Sequence, residues 1–137
     1  MQKEKSKSPK STSSPPVPRK NDVKMVIVVN NSLDMGKGKI ASQSCHSAVS
    51  LVRHLIESNQ RDLLKKWAEN LEAKIVVKCD SKIELLTLFK SARECNLQSY
   101  YTTDAGRTQI EPGSITTLAI LVISEEIDKM TGKLKLL

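Results

Sequence analysis

No run of apolar residues in this chain approaches the ~20 needed to span a bilayer, and no apolar stretch of secretory type follows the lysines at its amino terminus. Cytoplasm is therefore the expected address, with no membrane partner. Cysteine is scarce: Cys45, Cys79 and Cys95 are odd in number, far apart and set in apolar surroundings, so neither a disulfide framework nor a CxxC metal site is indicated, and a reducing interior fits. No histidine stands four residues after His46, and without a cysteine pair no metal is expected. No cofactor is expected either. There is no internal repeat, and 137 residues suffice for one domain with a real core but not comfortably for two.

What the chain does have is charge of one sign. Lys and Arg number 22 against 15 Asp and Glu, a net charge of +7, which suits an anionic partner. Nucleic acid comes ahead of a membrane surface, because no amphipathic basic helix dominates. Part of the excess lies in Lys3, Lys5, Lys7, Lys10, Arg19 and Lys20, opposed in the first twenty positions only by Glu4. Residues 1–22 are rich in Lys, Ser and Pro and cannot bury enough surface to offset their ordering entropy. They read as a disordered basic tail, and residues 23–137 as the folded domain.

Within that domain KMVIVVN reads as a buried strand, followed by the glycine-bearing loop NSLDMGKGK and a helix over about Ile40–Glu57. Along that helix Ala41, Cys45, Ala48, Val52 and Leu55 form an apolar stripe expected to face the core. Lys39, Gln43, His46, Ser50 and Arg53 form a polar stripe expected to face water or a ligand. A short helix over Arg61–Ala68 precedes the strand KIVVKC. Ser81 and Glu84 have capping-box spacing ahead of a helix to about Glu94. Strands are expected at Ser99–Thr103 and Thr116–Ile123, then a helix from Ser124, then LKLL, placed at a sheet edge or against the core. The order predicts an α/β domain with a mixed four-stranded sheet and helices on both faces, in three layers.

Two polar segments lie just past the carboxyl ends of predicted strands, where open α/β sheets bind ligands: Gly36-Lys37-Gly38-Lys39, and DAGRTQ from Asp104 to Gln109 within the longer polar stretch TTDAGRTQIEPGS. They meet if the first and third strands run parallel. The lysine loop opens a helix, so free N–H groups, the helix dipole and two ammonium groups converge there. It lacks P-loop spacing, which counts against a nucleotide-binding enzyme. For DAGRTQ two readings stand. Asp104 and Thr108 cap a turn while Arg107 pairs with a surface acid, or Asp104 polarises a water that Thr108 orients while a lysine stabilises the developing oxyanion.

The blocks KMVIVVNNSLDMGKGKIASQSCHSAV, KIVVK, DAGRTQIEPGS and IDKMTGKLKLL, in this order and spacing, resemble the archaeal and eukaryotic type of peptidyl-tRNA hydrolase. The resemblance implies a mixed α/β sheet, commonly dimeric, that cleaves the ester joining a peptide to the 3′ ribose of tRNA. Peptidyl-tRNA is then the partner and a homodimer the implied assembly. It also implies that Lys37, Asp104, Thr108 and Thr116 are the active-site groups, with Lys39, Gln43, His46 and Arg107 contacting substrate.

Departures from that family accompany the match. Asn30-Asn31-Ser32-Leu33 stands where Arg-x-Asp-Leu is usual, Leu71-Glu72 where Gly-Gln is, and Leu121-Val122-Ile123 where a Gly-Pro turn is. The cysteine that usually follows the glutamine is displaced by one, giving Gln43-Ser44-Cys45, and TGHLKL is TGKLKL. The alternative reading is a diverged relative that holds tRNA or a protein without turnover.

Overall fold

The computed structural model describes residues 22–104 and 113–137. The chain runs β1 (Val23–Asn30), a 3-10 turn (Asn31–Leu33), α1 (Lys37–Glu57), α2 (Arg61–Glu69), β2 (Lys74–Cys79), α3 (Lys82–Glu94), β3 (Gln98–Thr103), β4 (Ile115–Ile123), α4 (Ser124–Thr131) and β5 (Lys135–Leu136). The sheet has five strands, ordered β3-β4-β1-β2-β5, rather than the four expected. The fifth is the carboxyl-terminal run, whose residues Lys135 and Leu136 pair antiparallel with Lys78 and Val77 of β2.

β1 pairs parallel with β2 and antiparallel with β4, and β4 pairs antiparallel with β3. β1 and β3 therefore point the same way, and their carboxyl ends share one edge of the sheet. Both faces of β1 and β4 are covered, which is why each reads as a nearly unbroken apolar run. Val26, Val28, Leu118, Ile120 and Val122 pack with Leu85, Phe89 and Met130 from α3 and α4. Met25, Ile27, Ala119 and Leu121 pack on the other face with Leu51, Leu55, Leu64 and Trp67 from α1 and α2.

α1 starts at Lys37 rather than Ile40, because Gly36 serves as an extended cap without any side-chain bond and the second glycine is taken into the first turn. Its buried face is also rotated from the expected stripe. Ser47, Leu51 and Leu55 are the buried residues, whereas Ala41 and Cys45 are exposed. Opposite the first half of the helix stand Thr116 and Thr117, both hydrogen-bonded to Gln43, so this part of α1 meets polar rather than apolar sheet. Of the cysteines only Cys79 is buried, and burial pushes its thiol pKa up; Cys45 and Cys95 are exposed, contrary to their apolar sequence setting.

Ser81 caps α3 as expected, Glu84 N–H donating to its Oγ at 3.1 Å, whereas Glu84 Oε2 reaches one residue past the cap and accepts from the Asp80 amide at 3.0 Å. Leu71 and Glu72, at φ of 57° and 52°, both adopt the left-handed conformation that a glycine takes without penalty. β4 continues to Ile123, paired with Val23, and leads straight into α4.

Candidate active site

Asp104 is the first residue past β3. Its amide donates to Ser114 O at 2.8 Å, and its carbonyl accepts from Gly113 N–H at 3.2 Å. Gly113 supplies the positive φ of 82° that this closure requires. The Asp104 side chain is only 3% exposed and accepts a hydrogen bond from Lys39 Nζ at 2.7 Å, with Lys39 itself 18% exposed. Desolvating both partners of an ion pair costs several kcal/mol unless geometry and further bonds offset it. The two loops singled out in the sequence are thus joined by their most strongly charged side chains.

Lys39 lies in the first turn of α1, which contains no acidic residue. The amides of that turn have no partner within the helix and form the positive end of its dipole. Among the described residues, a Cβ added to Gly36 or Gly38 would meet nothing within 4 Å, so no packing demand from them explains either glycine. They leave the turn open to whatever approaches Asp104. Lys37, on the same turn, is exposed and has no ion pair with the described residues.

Behind the ion pair, Thr116 is fully buried, with its hydroxyl 2.6 Å from Gln43 Oε1 and 3.2 Å from the Thr102 carbonyl oxygen. A hydroxyl donates only once, so it serves one of these oxygens at a time, or the Gln43 amide turns to donate to it. Thr117 Oγ1 donates to the Gln43 carbonyl at 3.1 Å. Gln43 thus points into the sheet edge rather than away from it, and α1 is tied to β4 beside Asp104. His46 is exposed and takes no part in these bonds. Arg107 and Thr108 lie outside the described residues.

Asn30, assigned no role from the sequence, is buried at the end of β1 and donates through Nδ2 to the Ile115 carbonyl at 3.1 Å. Its Oδ1 accepts from the Ser32 amide at 3.2 Å and from Ser32 Oγ at 2.6 Å. A neutral, internally bonded pair thus occupies the place where the resembled family carries two opposite charges, and it holds β4 one residue before Thr116. The departure from the motif was the signal that could have pointed to it. Among the described residues, no group of three or more His, Cys, Asp or Glu is placed to hold a metal ion.

An α/β domain that buries a carboxylate–ammonium pair under an open helix start, at the carboxyl ends of parallel strands, has the makings of a hydrolase for an anionic substrate. The family profile described as peptidyl-tRNA hydrolase PTH2 matches residues 23–137, and the chain belongs to that family. It is 51% identical over 118 residues to a peptidyl-tRNA hydrolase of Sulfurisphaera tokodaii, covering 83% of this chain and 98% of the relative. It is 47% identical over 119 residues to one of Saccharolobus islandicus, covering 84% and 99%. A third, from Saccharolobus solfataricus, is 45% identical over 119 residues with coverage of 84% and 99%.

Proposed function

We propose that this chain hydrolyses the ester between a peptide, or an N-blocked amino acid, and the 3′ ribose of tRNA. The observation that carries the reading is the pairing of buried Asp104 with the part-buried Lys39 at the doubly basic start of α1. Asp104, hydrogen-bonded to the Lys39 ammonium, takes a proton from water as the water oxygen bonds to the ester carbon. Lys37 and the first-turn amides of α1 stabilise the oxyanion, and the C–O bond to the ribose then breaks as Asp104 passes the proton it took from water to the 3′ oxygen, which leaves as a hydroxyl while Asp104 returns to the carboxylate. Thr108 orients the water. Thr116, through Gln43, fixes α1 relative to β4, while Arg107 and His46 contact the tRNA.

The direct test is release of a blocked amino acid from its tRNA by purified protein, with and without chelator. Asp104→Asn should fold, bind tRNA and lose roughly 10² or more in turnover, the range for removing a general base. A stable Asp104→Asn protein cleaving at the parent rate would sink this assignment. A parent protein that binds tRNA and never cleaves it would make the chain a binding module.

The proposed setting is the cytoplasm, which fits the finding that no described helix is long and apolar enough to cross a membrane. The basic segment 1–22 is assigned a salt-sensitive attraction for RNA, separate from the chemistry. We also assign a homodimer. Ala41, Cys45, Val49, Val52 and Ile56 form a second stripe on α1, on which Val49 is 57% and Ile56 40% exposed. Antiparallel pairing about a two-fold axis sets its small end, Ala41 and Cys45, against the bulky Val52 and Ile56 end of a second copy. Val49→Glu should then sediment as a monomer where the parent is dimeric.

A further inference from the structure

One feature of the sequence is only partly used by this mechanism: the polar stripe of α1, which starts at Lys39 and Gln43 and continues through His46, Ser50 and Arg53. It carries no acid until Glu57, the last residue of the helix. α1 runs antiparallel to β3, so the stripe leads from Asp104 back along the outer strand. At its far end the His54 ring lies 6.2 Å from that of Tyr100, which is 41% exposed on the sheet edge.

Beside that pair opens a cavity of about 420 Å³, lined by His54, Phe89, Arg93, Asn96, Gln98 and Ser99 among others. No described lining residue is acidic; Glu57 and Glu94, on the same helices, are not among them. The Arg93 guanidinium lies 5.6 Å from the Phe89 ring centroid and makes no ion pair with the described residues. The cavity thus presents a planar cation, hydrogen-bonding side chains and an aromatic ring, the set that recognises an unstacked nucleotide by stacking and by edge and phosphate contacts. From Ser99 to Asp104 is five residues of extended chain, roughly 17 Å. A few nucleotides of single strand span that distance.

We propose that the single-stranded 3′ end of the tRNA lies along the α1–β3 groove, with its terminal ribose at Asp104, an upstream base against Tyr100, and a nucleotide in the Arg93 cavity. The proposal rests on the hydrolase reading and adds to it a second contact zone that recognises the nucleic acid and not the ester. Contacts remote from the reacting bond and equally strong in ground and transition states lower KM without changing kcat.

The test compares two esters of the same N-acetylated amino acid, one on intact tRNA and one on 3′-terminal adenosine alone. Arg93→Gln and Tyr100→Ala should each raise KM for the tRNA ester roughly ten-fold, as loss of a stacked base does, with kcat unchanged and the adenosine ester unaffected. Tyr100→Phe, which keeps the ring, should restore the parent KM. An unchanged KM on tRNA, or an equal loss on both esters, overturns the proposal. Should the parent cleave neither ester, the hydrolase reading falls, and the groove is judged by affinity for a 3′-terminal oligonucleotide of tRNA. A ten-fold weaker complex in the variants then supports it, and an unchanged one overturns it.

Discussion

The two ends of the central strands bury opposite kinds of residue. Where β1 begins and β4 stops, Val23, Met25 and Leu121 pack with Leu55 and Trp67 into an apolar cluster. Where β1 stops and β4 begins, the buried residues include Asn30, Thr116, Thr117 and Asp104, with Ser47 on the helix above. β1, β4 and α1 are continuous across both ends, although the β3–β4 pairing shifts register at the polar end, between Thr102 and Thr103. At the apolar end, stability comes from area and close packing, and any side chain of similar volume serves. At the polar end each group needs its particular partner, and an unmatched group costs free energy. The first end holds the second at fixed geometry.

The largest expected effect comes from the apolar end. Leu55→Ala removes a fully buried side chain where α1 meets the sheet and should cost about 3 kcal/mol of unfolding free energy, through lost transfer energy and a residual cavity. Turnover measured below the transition should stay near the parent value. Thr116→Val keeps the shape and removes the hydroxyl that Gln43 and Thr102 share, for a smaller loss of about 1 to 2 kcal/mol. Its turnover should nevertheless fall roughly ten-fold, because the tie between α1 and β4 beside Asp104 is loosened. Denaturant unfolding and single-turnover cleavage on the same preparations decide. If Leu55→Ala slows turnover more than Thr116→Val does, the division of labour between the ends is wrong.

The apolar end was the legible one. Lys74–Cys79 has the limits expected from its pattern, and β1, β4 and α3 lie within a residue or two of expectation because continuous apolar runs and a capping box are local signals. The inference that parallel first and third strands would join the two polar loops also holds, in the 2.7 Å contact of Lys39 with Asp104. The polar end misled. Hydrophobic periodicity assumes that the helix packs on apolar surface, and it put Ala41 and Cys45 in the core when Ser47 is the residue buried there. Nor does a pattern reveal that Leu71, 88% exposed, and Glu72 adopt a left-handed backbone, since that is imposed by Glu72 N–H bonding back to Trp67 O at 3.0 Å. β5 has no signature of its own in the sequence, because two paired residues are too few to produce a period.

The smallest predicted effect asks whether every polar group at that end is in use. Among the described residues, Ser44 Oγ is buried and has no hydrogen-bond partner, and the same holds for Thr102 Oγ1. A buried hydroxyl without a partner has given up its bonds to water for nothing, a loss on the order of 1 kcal/mol or more. Ser44 occupies the place where the resembled family carries its cysteine. Its carbonyl still accepts from Ser47 Oγ at 3.1 Å, so the local helix does not depend on the Ser44 side chain. Ser44→Ala should therefore raise unfolding free energy by about 1 kcal/mol and leave turnover unchanged, whereas Thr116→Val lowers both. Denaturant midpoints at constant slope give the sign directly. A destabilised Ser44→Ala would mean that the hydroxyl is bonded through water, and that the polar end contains one continuous network instead of a used set and two idle groups.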